Sequence, residues 1–174
     1  MDKGILRIID ANLNRILEGL RVCEEITRFV VLDKNLTSRF KNLRHNVAGL
    51  SGKWKIKDVR LLDSRDSLKD VGKPSIKEEL KRRNFQDIFF ANIQRAKESA
   101  RVLEEFSKLE NKSRPLSNVG KGRDKKISAG FKDIRYRLYQ IEKDSDKRIR
   151  NIRGNRHFDL AQCKPRRRHK KIAH

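Results

Sequence analysis

The chain has 174 residues, 39% of them charged and 36% apolar, and 45 Lys and Arg against 23 Asp and Glu give a net charge of +22. That length fits one domain rather than two of ordinary size, and 6% aromatics with nine Gly and three Pro argue against a loop-rich β sandwich or barrel. Two cysteines, Cys23 and Cys163, are too few for a disulfide scaffold, and no stretch approaches the ~18 apolar residues of a spanning helix. With no long apolar run after Met1, the expectation is a cytoplasmic protein with no membrane association.

Ile9, Leu13, Ile16, Leu20 and Cys23 alternate spacings of four and three, which predicts a long helix over about 3–32. Asp33-Lys34-Asn35 ends it, and Thr37 or Ser38 caps a second helix that closes at Ser51-Gly52. Residues 53–75 read as irregular, and the pattern allows a short helix over 76–82. A second long helix is expected over about 85–109, then a polar basic loop through Gly130. The last helix carries Phe131, Ile134, Leu138 and Ile141 and fades near Asp146.

The two long helices are copies. Shifted by 80 residues, Ile8, Ala11, Asn12, Arg15, Glu18, Arg21, Val22, Glu24 and Glu25 meet identical partners at Ile88, Ala91, Asn92, Arg95, Glu98, Arg101, Val102, Glu104 and Glu105. Phe40-Lys41-Asn42-Leu43-Arg44-His45 is echoed by Phe131-Lys132-Asp133-Ile134-Arg135-Tyr136. A duplicated helical hairpin follows, with repeats at about 3–51 and 84–145. The predicted architecture is an all-α four-helix bundle with an approximate two-fold axis, spanning residues 1–146.

At about 100° per residue, Asn12, Gly19 and Arg15 lie beside the apolar stripe and Glu18 further round. Arg21, Glu24 and Glu25 fall toward the outer face, as a solvated ion-pair lattice. Asn12 and Arg15 need partners at the edge of a packed face. Two readings fit them: a satisfied network at the bundle seam, or an anion cleft lined by Asn12, Arg15, Glu18, Asn92, Arg95 and Glu98. Arg forks suit phosphate, and an adjacent carboxylate can hold Mg²⁺. Other signals are weaker. His45 reads as a packing residue, Gly120-Lys121-Gly122 lacks P-loop spacing, and Ser64-Arg65-Asp66-Ser67 reads first as a solvated turn.

Asp144 to His174 holds eleven Lys and Arg against three Asp. Residues 147–174 therefore read as a basic, disordered tail, and non-specific nucleic-acid binding through that tail is the alternative to a catalytic role.

Arg7-Ile8-Ile9-Asp10-Ala11-Asn12-Leu13-Asn14-Arg15 followed by Glu18-Gly19-Leu20-Arg21-Val22 resembles the domain that precedes thiamine-phosphate synthase in bacterial fusions. The resemblance continues through Leu43-Arg44-His45, Ser64-Arg65-Asp66-Ser67, Ala91-Asn92, Arg101-Val102-Leu103-Glu104-Glu105 and Ile134-Arg135-Tyr136-Arg137-Leu138-Tyr139, over about residues 5 to 143. It implies an alternative hydroxymethylpyrimidine-phosphate kinase, which uses ATP to convert the pyrimidine monophosphate to its diphosphate. The synthase barrel would need some 200 further residues, so synthase activity is not expected of this chain. A separately encoded thiamine-phosphate synthase is a candidate partner.

Chemistry then distributes the roles, because phosphoryl transfer rests on alignment and charge neutralisation. Arg15, Arg95 and Arg65 are expected to clamp phosphates. Glu18, Glu98 or Asp66 would ligate Mg²⁺ or orient the attacking hydroxyl. Asn12 and Asn92 would bind the aminopyrimidine or a phosphate oxygen, and Arg44 with His45 would close the site.

Overall fold

The computed structural model describes residues 1–54, 56, 58–72, 81–109 and 121–152. The possible helix over 76–82 lies mostly outside them, as does the tail beyond Ile152. Among the described residues five helices run in order: α1 (Lys3–Phe29), α2 (Lys34–Lys53), α3 (Asp58–Ser64), α4 (Phe85–Phe106) and α5 (Lys121–Asn151). Among the described residues there is no strand.

Each start has a local cause. The Asp2 carboxylate accepts from the amides of Gly4 and Ile5, the Asp33 carboxylate from Leu36 and the Asn84 side chain from Asp87. These caps satisfy amides that have no partner inside the helix. The cap of α2 is therefore Asp33, not Thr37 or Ser38. Thr37 is already helical, and its hydroxyl donates back to the Asp33 carbonyl at 2.7 Å. In the turn before Asp33, Leu32 takes a left-handed conformation with φ of 58°.

Three further boundaries differ from the sequence reading. Residues 58–64 form α3 inside the stretch read as irregular, α5 begins at Lys121 rather than after Gly130, and it continues to Asn151 past Asp146.

The bundle is a square. α1 packs most extensively on α4, α1 on α2, α4 on α5 and α2 on α5, while the short α3 rests on α1. The expected stripes fill the middle: Ile9, Ile16, Leu20, Cys23, Phe40, Phe89, Ile93, Leu103, Phe131 and Leu138 are fully buried. Fully burying each large side chain contributes about 1.5–3 kcal/mol.

Two contacts set the register of α1 against α4. The Cys23 thiol donates to the Phe89 carbonyl at 3.7 Å, and a Cβ at Gly19 would lie 2.7 Å from the Asn92 carbonyl oxygen. Residue numbers thus rise on one helix as they fall on the other, which brings Ile16 level with Ala96. Those two positions are equivalent under the 80-residue shift, so the approximate two-fold axis passes between them.

The duplication extends to individual bonds. Asn12 donates to the Ile8 carbonyl and Asn92 to the Ile88 carbonyl, both at 2.8 Å. Thr27 and Ser107 donate to the carbonyls of Glu24 and Glu104, both at 2.9 Å.

Candidate functional site

Arg15 and Arg95 project on the outer side of the α1–α4 seam, and both are exposed. The register places them within about 3 Å of each other along the seam at 1.5 Å per residue. Neither guanidinium has a hydrogen bond or ion pair among the described residues. Glu18 and Glu98 stand on the shoulders of the same face, one further step round each helix. Glu98 accepts from Gln94 at 2.7 Å, and Glu18 has no partner among the described residues. The two-fold axis thus gathers Arg15, Glu18, Arg95 and Glu98 on one face of the bundle.

The asparagines frame this face rather than meeting at its centre. Asn12 is 7% exposed, and the register sets Asn12 and Asn92 about 12 Å apart along the seam. Each amide nitrogen is engaged by the carbonyl four residues earlier, which leaves the side-chain oxygen as the unengaged group among the described residues. Of the two sequence readings, the satisfied network thus describes the amide nitrogens. The exposed arginines escape the burial cost that made partners look obligatory.

The remaining candidates lie elsewhere. Arg65 grips Asp10 with two bonds, Nε at 2.6 Å and the terminal nitrogen at 3.0 Å. This bond raises the Arg65 pKa, hydrogen bonding first and the nearby charge second. Arg7 donates to the Asp66 carbonyl at 3.2 Å, and the Asp66 carboxylate accepts from the Lys69 amide. The Ser64-Arg65-Asp66-Ser67 segment is therefore pinned to the first turns of α1, on a different flank from Arg15. Its fork-to-carboxylate geometry commits the Arg65 guanidinium to Asp10.

Arg44 lies on the α1–α2 side, where it donates to Glu24 at 2.9 Å. His45 is exposed beside it on α2. Neither joins Arg15. The copy repeats the arrangement, with Arg135 donating to Glu104 at 2.9 Å on the α4–α5 side.

Glu24 and Glu104, read in the sequence as outer-face residues, are each only 4% exposed. Each is shared between two arginines: Arg21 and Arg44 on Glu24, Arg101 and Arg135 on Glu104. The anticipated Arg21–Glu25 pair is present at 2.8 Å. A carboxylate that is buried must be paired and hydrogen-bonded to stay charged, and these two are, which makes them struts between hairpin arms. Asp10 was also missed, because its copy position is Phe90 and a search for duplicated polar residues passes over it.

No group of three His, Cys, Asp or Glu suited to a metal occurs among the described residues. Asp66 does not join Glu18 and Glu98. Magnesium that arrives with nucleotide phosphates needs only one or two protein carboxylates, and Glu18 or Glu98 beside a free guanidinium fits that demand. Burial pushes the Cys23 thiol pKa far up, with Glu142 adding to the effect, so this cysteine is an inert core group. No helix among the described residues is long and apolar enough to cross a membrane.

Fold and face together define an internally duplicated all-α bundle with two arginines on one seam that have no partner among the described residues. The chain belongs to the ThiD2 family, whose pattern matches residues 7–144. It is 37% identical over 140 residues to a thiamine-phosphate synthase of Synechocystis, covering 80% of this chain and 35% of that protein. A thiamine-phosphate synthase of Rhodopirellula baltica is 30% identical over 171 residues, covering 94% of this chain and 42% of that protein. One of Prochlorococcus marinus is 34% identical over 144 residues, covering 82% and 36%. The chain thus spans about 35–42% of the length of these relatives. No solved structure gives a significant match.

Proposed function

We propose that the chain acts in thiamine biosynthesis as a hydroxymethylpyrimidine-phosphate kinase, transferring the γ-phosphoryl group of ATP to the pyrimidine monophosphate. Family membership and relatives named thiamine-phosphate synthase support the pathway. The observation that carries the reaction is the pair of guanidiniums, Arg15 and Arg95, close to one another on a two-fold seam and without a partner among the described residues.

This reaction joins two phosphate-bearing molecules, and a duplicated site offers one arginine to each. One guanidinium holds the acceptor monophosphate and the other the polyphosphate of the donor, which relieves the repulsion between two anions brought into line. The attacking atom is a phosphate oxygen already charged at neutral pH. No general base is needed, so the carboxylates are not asked to deprotonate a hydroxyl. Glu18 and Glu98 are the residues to hold magnesium, which when bound neutralises charge on the donor phosphates. The side-chain oxygens of Asn12 and Asn92 are the acceptors available to the exocyclic amine of the pyrimidine. Arg65, Asp66 and Arg44 act at most indirectly, by holding α1 in place, and His45 stands exposed on α2, away from the seam.

The test is direct. The full chain is mixed with the pyrimidine monophosphate and Mg·ATP, and diphosphate and ADP are followed together. Equal formation of both is expected, with kcat/KM reduced by about 10²-fold in Arg15→Ala, as for loss of one phosphate-stabilising donor. No diphosphate from the wild-type chain, or an unchanged Arg15→Ala variant, would overturn the proposal.

A further inference from the structure

The charge of the body is not spread evenly. Residues 28–41, 81–87 and 143–151 contain eleven Lys and Arg against four Asp. The fold brings these three segments to one end of the bundle. Arg39 bonds Asp144 at 2.7 Å and Arg148 bonds Asp33 at 2.9 Å, which tie α2 to α5. Gln86 donates to the Ile149 carbonyl, and Arg150 lies over the Phe90 ring, which tie α4 to α5.

All four aspartates are already engaged, two as above and two with Arg83 and Arg150. Lys34, Lys41 and Lys147 make no ion pair among the described residues. Two adjoining clefts of about 460 and 440 Å³ open here and share Asp33. Arg39, Lys143, Lys147 and Arg148 line the first, and Arg28, Lys34 and Lys41 the second. At the rim Phe29 is 60% exposed, with the Arg28 guanidinium 4.6 Å from its ring centroid. In sequence, residues 153–174 carry eight Lys and Arg against one Asp.

We infer that this end of the bundle is a binding surface for single-stranded nucleic acid, separate from the α1–α4 seam. A row of unpaired lysines across two clefts suits an extended polyphosphate backbone, because each neutralised phosphate releases a counterion. An exposed aromatic ring beside an arginine supplies the face on which a base stacks. Small phosphates would occupy one cleft, whereas the cations here continue across three chain segments. The surface belongs to the folded body, so binding does not depend on the basic tail alone. This inference is independent of the kinase proposal.

The experiment measures fluorescence anisotropy of a labelled 20-nucleotide oligo(dT) with the full chain across a salt series. Lys34→Glu/Lys41→Glu/Lys147→Glu is compared with Lys53→Glu/Lys126→Glu/Lys132→Glu, which makes the same charge change at exposed lysines elsewhere. The first variant is expected to lose at least tenfold in affinity at moderate salt. Its plot of log affinity against log salt should be shallower by about 2, as for three lost phosphate contacts. Phe29→Ala should weaken oligo(dT) about tenfold while leaving a duplex of equal length unchanged. Circular dichroism checks that each variant is folded. Equal losses in the two triple variants, or a Phe29→Ala variant that binds oligo(dT) as tightly as wild type, would overturn the inference.

Discussion

Gly19→Ala tests the packing on which the seam depends. A Cβ there would stand 2.7 Å from the Asn92 carbonyl oxygen and 3.6 Å from the Ala96 methyl. The carbonyl belongs to the α4 backbone and cannot swing aside, so the helices must separate by some tenths of an ångström. Overpacking costs about 1–3 kcal/mol, and a clash with immovable backbone takes the upper part of that range, about 2–3 kcal/mol, against a helix-propensity gain of about 1 kcal/mol for alanine over glycine. The net expectation is a loss of about 1–2 kcal/mol, or roughly 2–8 °C in Tm for a chain of this size. Gly49→Ala supplies the internal control, since nothing lies within 4 Å of its Cβ position on α2. There the propensity gain stands alone, and Tm should rise by roughly 1–4 °C. Calorimetric melts of both variants and wild type decide the matter. A Gly19→Ala protein as stable as wild type would refute the close approach of α1 and α4.

Other expectations follow from the ion pairs. Glu24→Gln leaves Arg21 and Arg44 without their shared carboxylate and should cost about 2–3 kcal/mol in urea denaturation. Adding Arg44→Met should recover part of that loss. Asp10→Asn removes the anchor of Arg65, so the Arg65 and Lys69 amides should exchange faster while α4 amides do not change. The Arg39 guanidinium holds the Asp144 carboxyl below the usual carboxylate range, with Gln140 helping. A depressed folded-state pKa stabilises above that range and is lost as pH falls through it. Asp144→Asn should therefore melt below wild type at neutral pH, and the two curves should converge between about pH 5 and about pH 2.

The duplication was legible because it repeats charges as well as apolar positions. Once Arg15 and Arg95 are known to be copies, a two-fold bundle must bring them to one face. The struts were harder to read. Glu24 sits three residues from Arg21, which looks like a surface pair until Arg44 arrives from another helix, and sequence does not say which cation a turn delivers. α3 escaped because seven residues carry too little periodicity. The start of α5 escaped because its first turns contain Lys121, Arg123, Asp124, Lys125 and Lys126 and no apolar stripe. Asp33 is the cap of α2, whereas the sequence pattern places the cap at Thr37 or Ser38, four or five residues later.

The central claim is that both halves of the repeat build one composite site. Its most direct test compares the kcat/KM of Arg15→Ala, Arg95→Ala and the double variant in the ATP-dependent pyrimidine phosphate assay. One shared site predicts that each single substitution removes about 10²-fold and that the double variant falls lower still, since each guanidinium serves a different phosphate of the same reaction. Two independent sites would instead leave each single variant with about half of the wild-type rate, and that result would contradict the account.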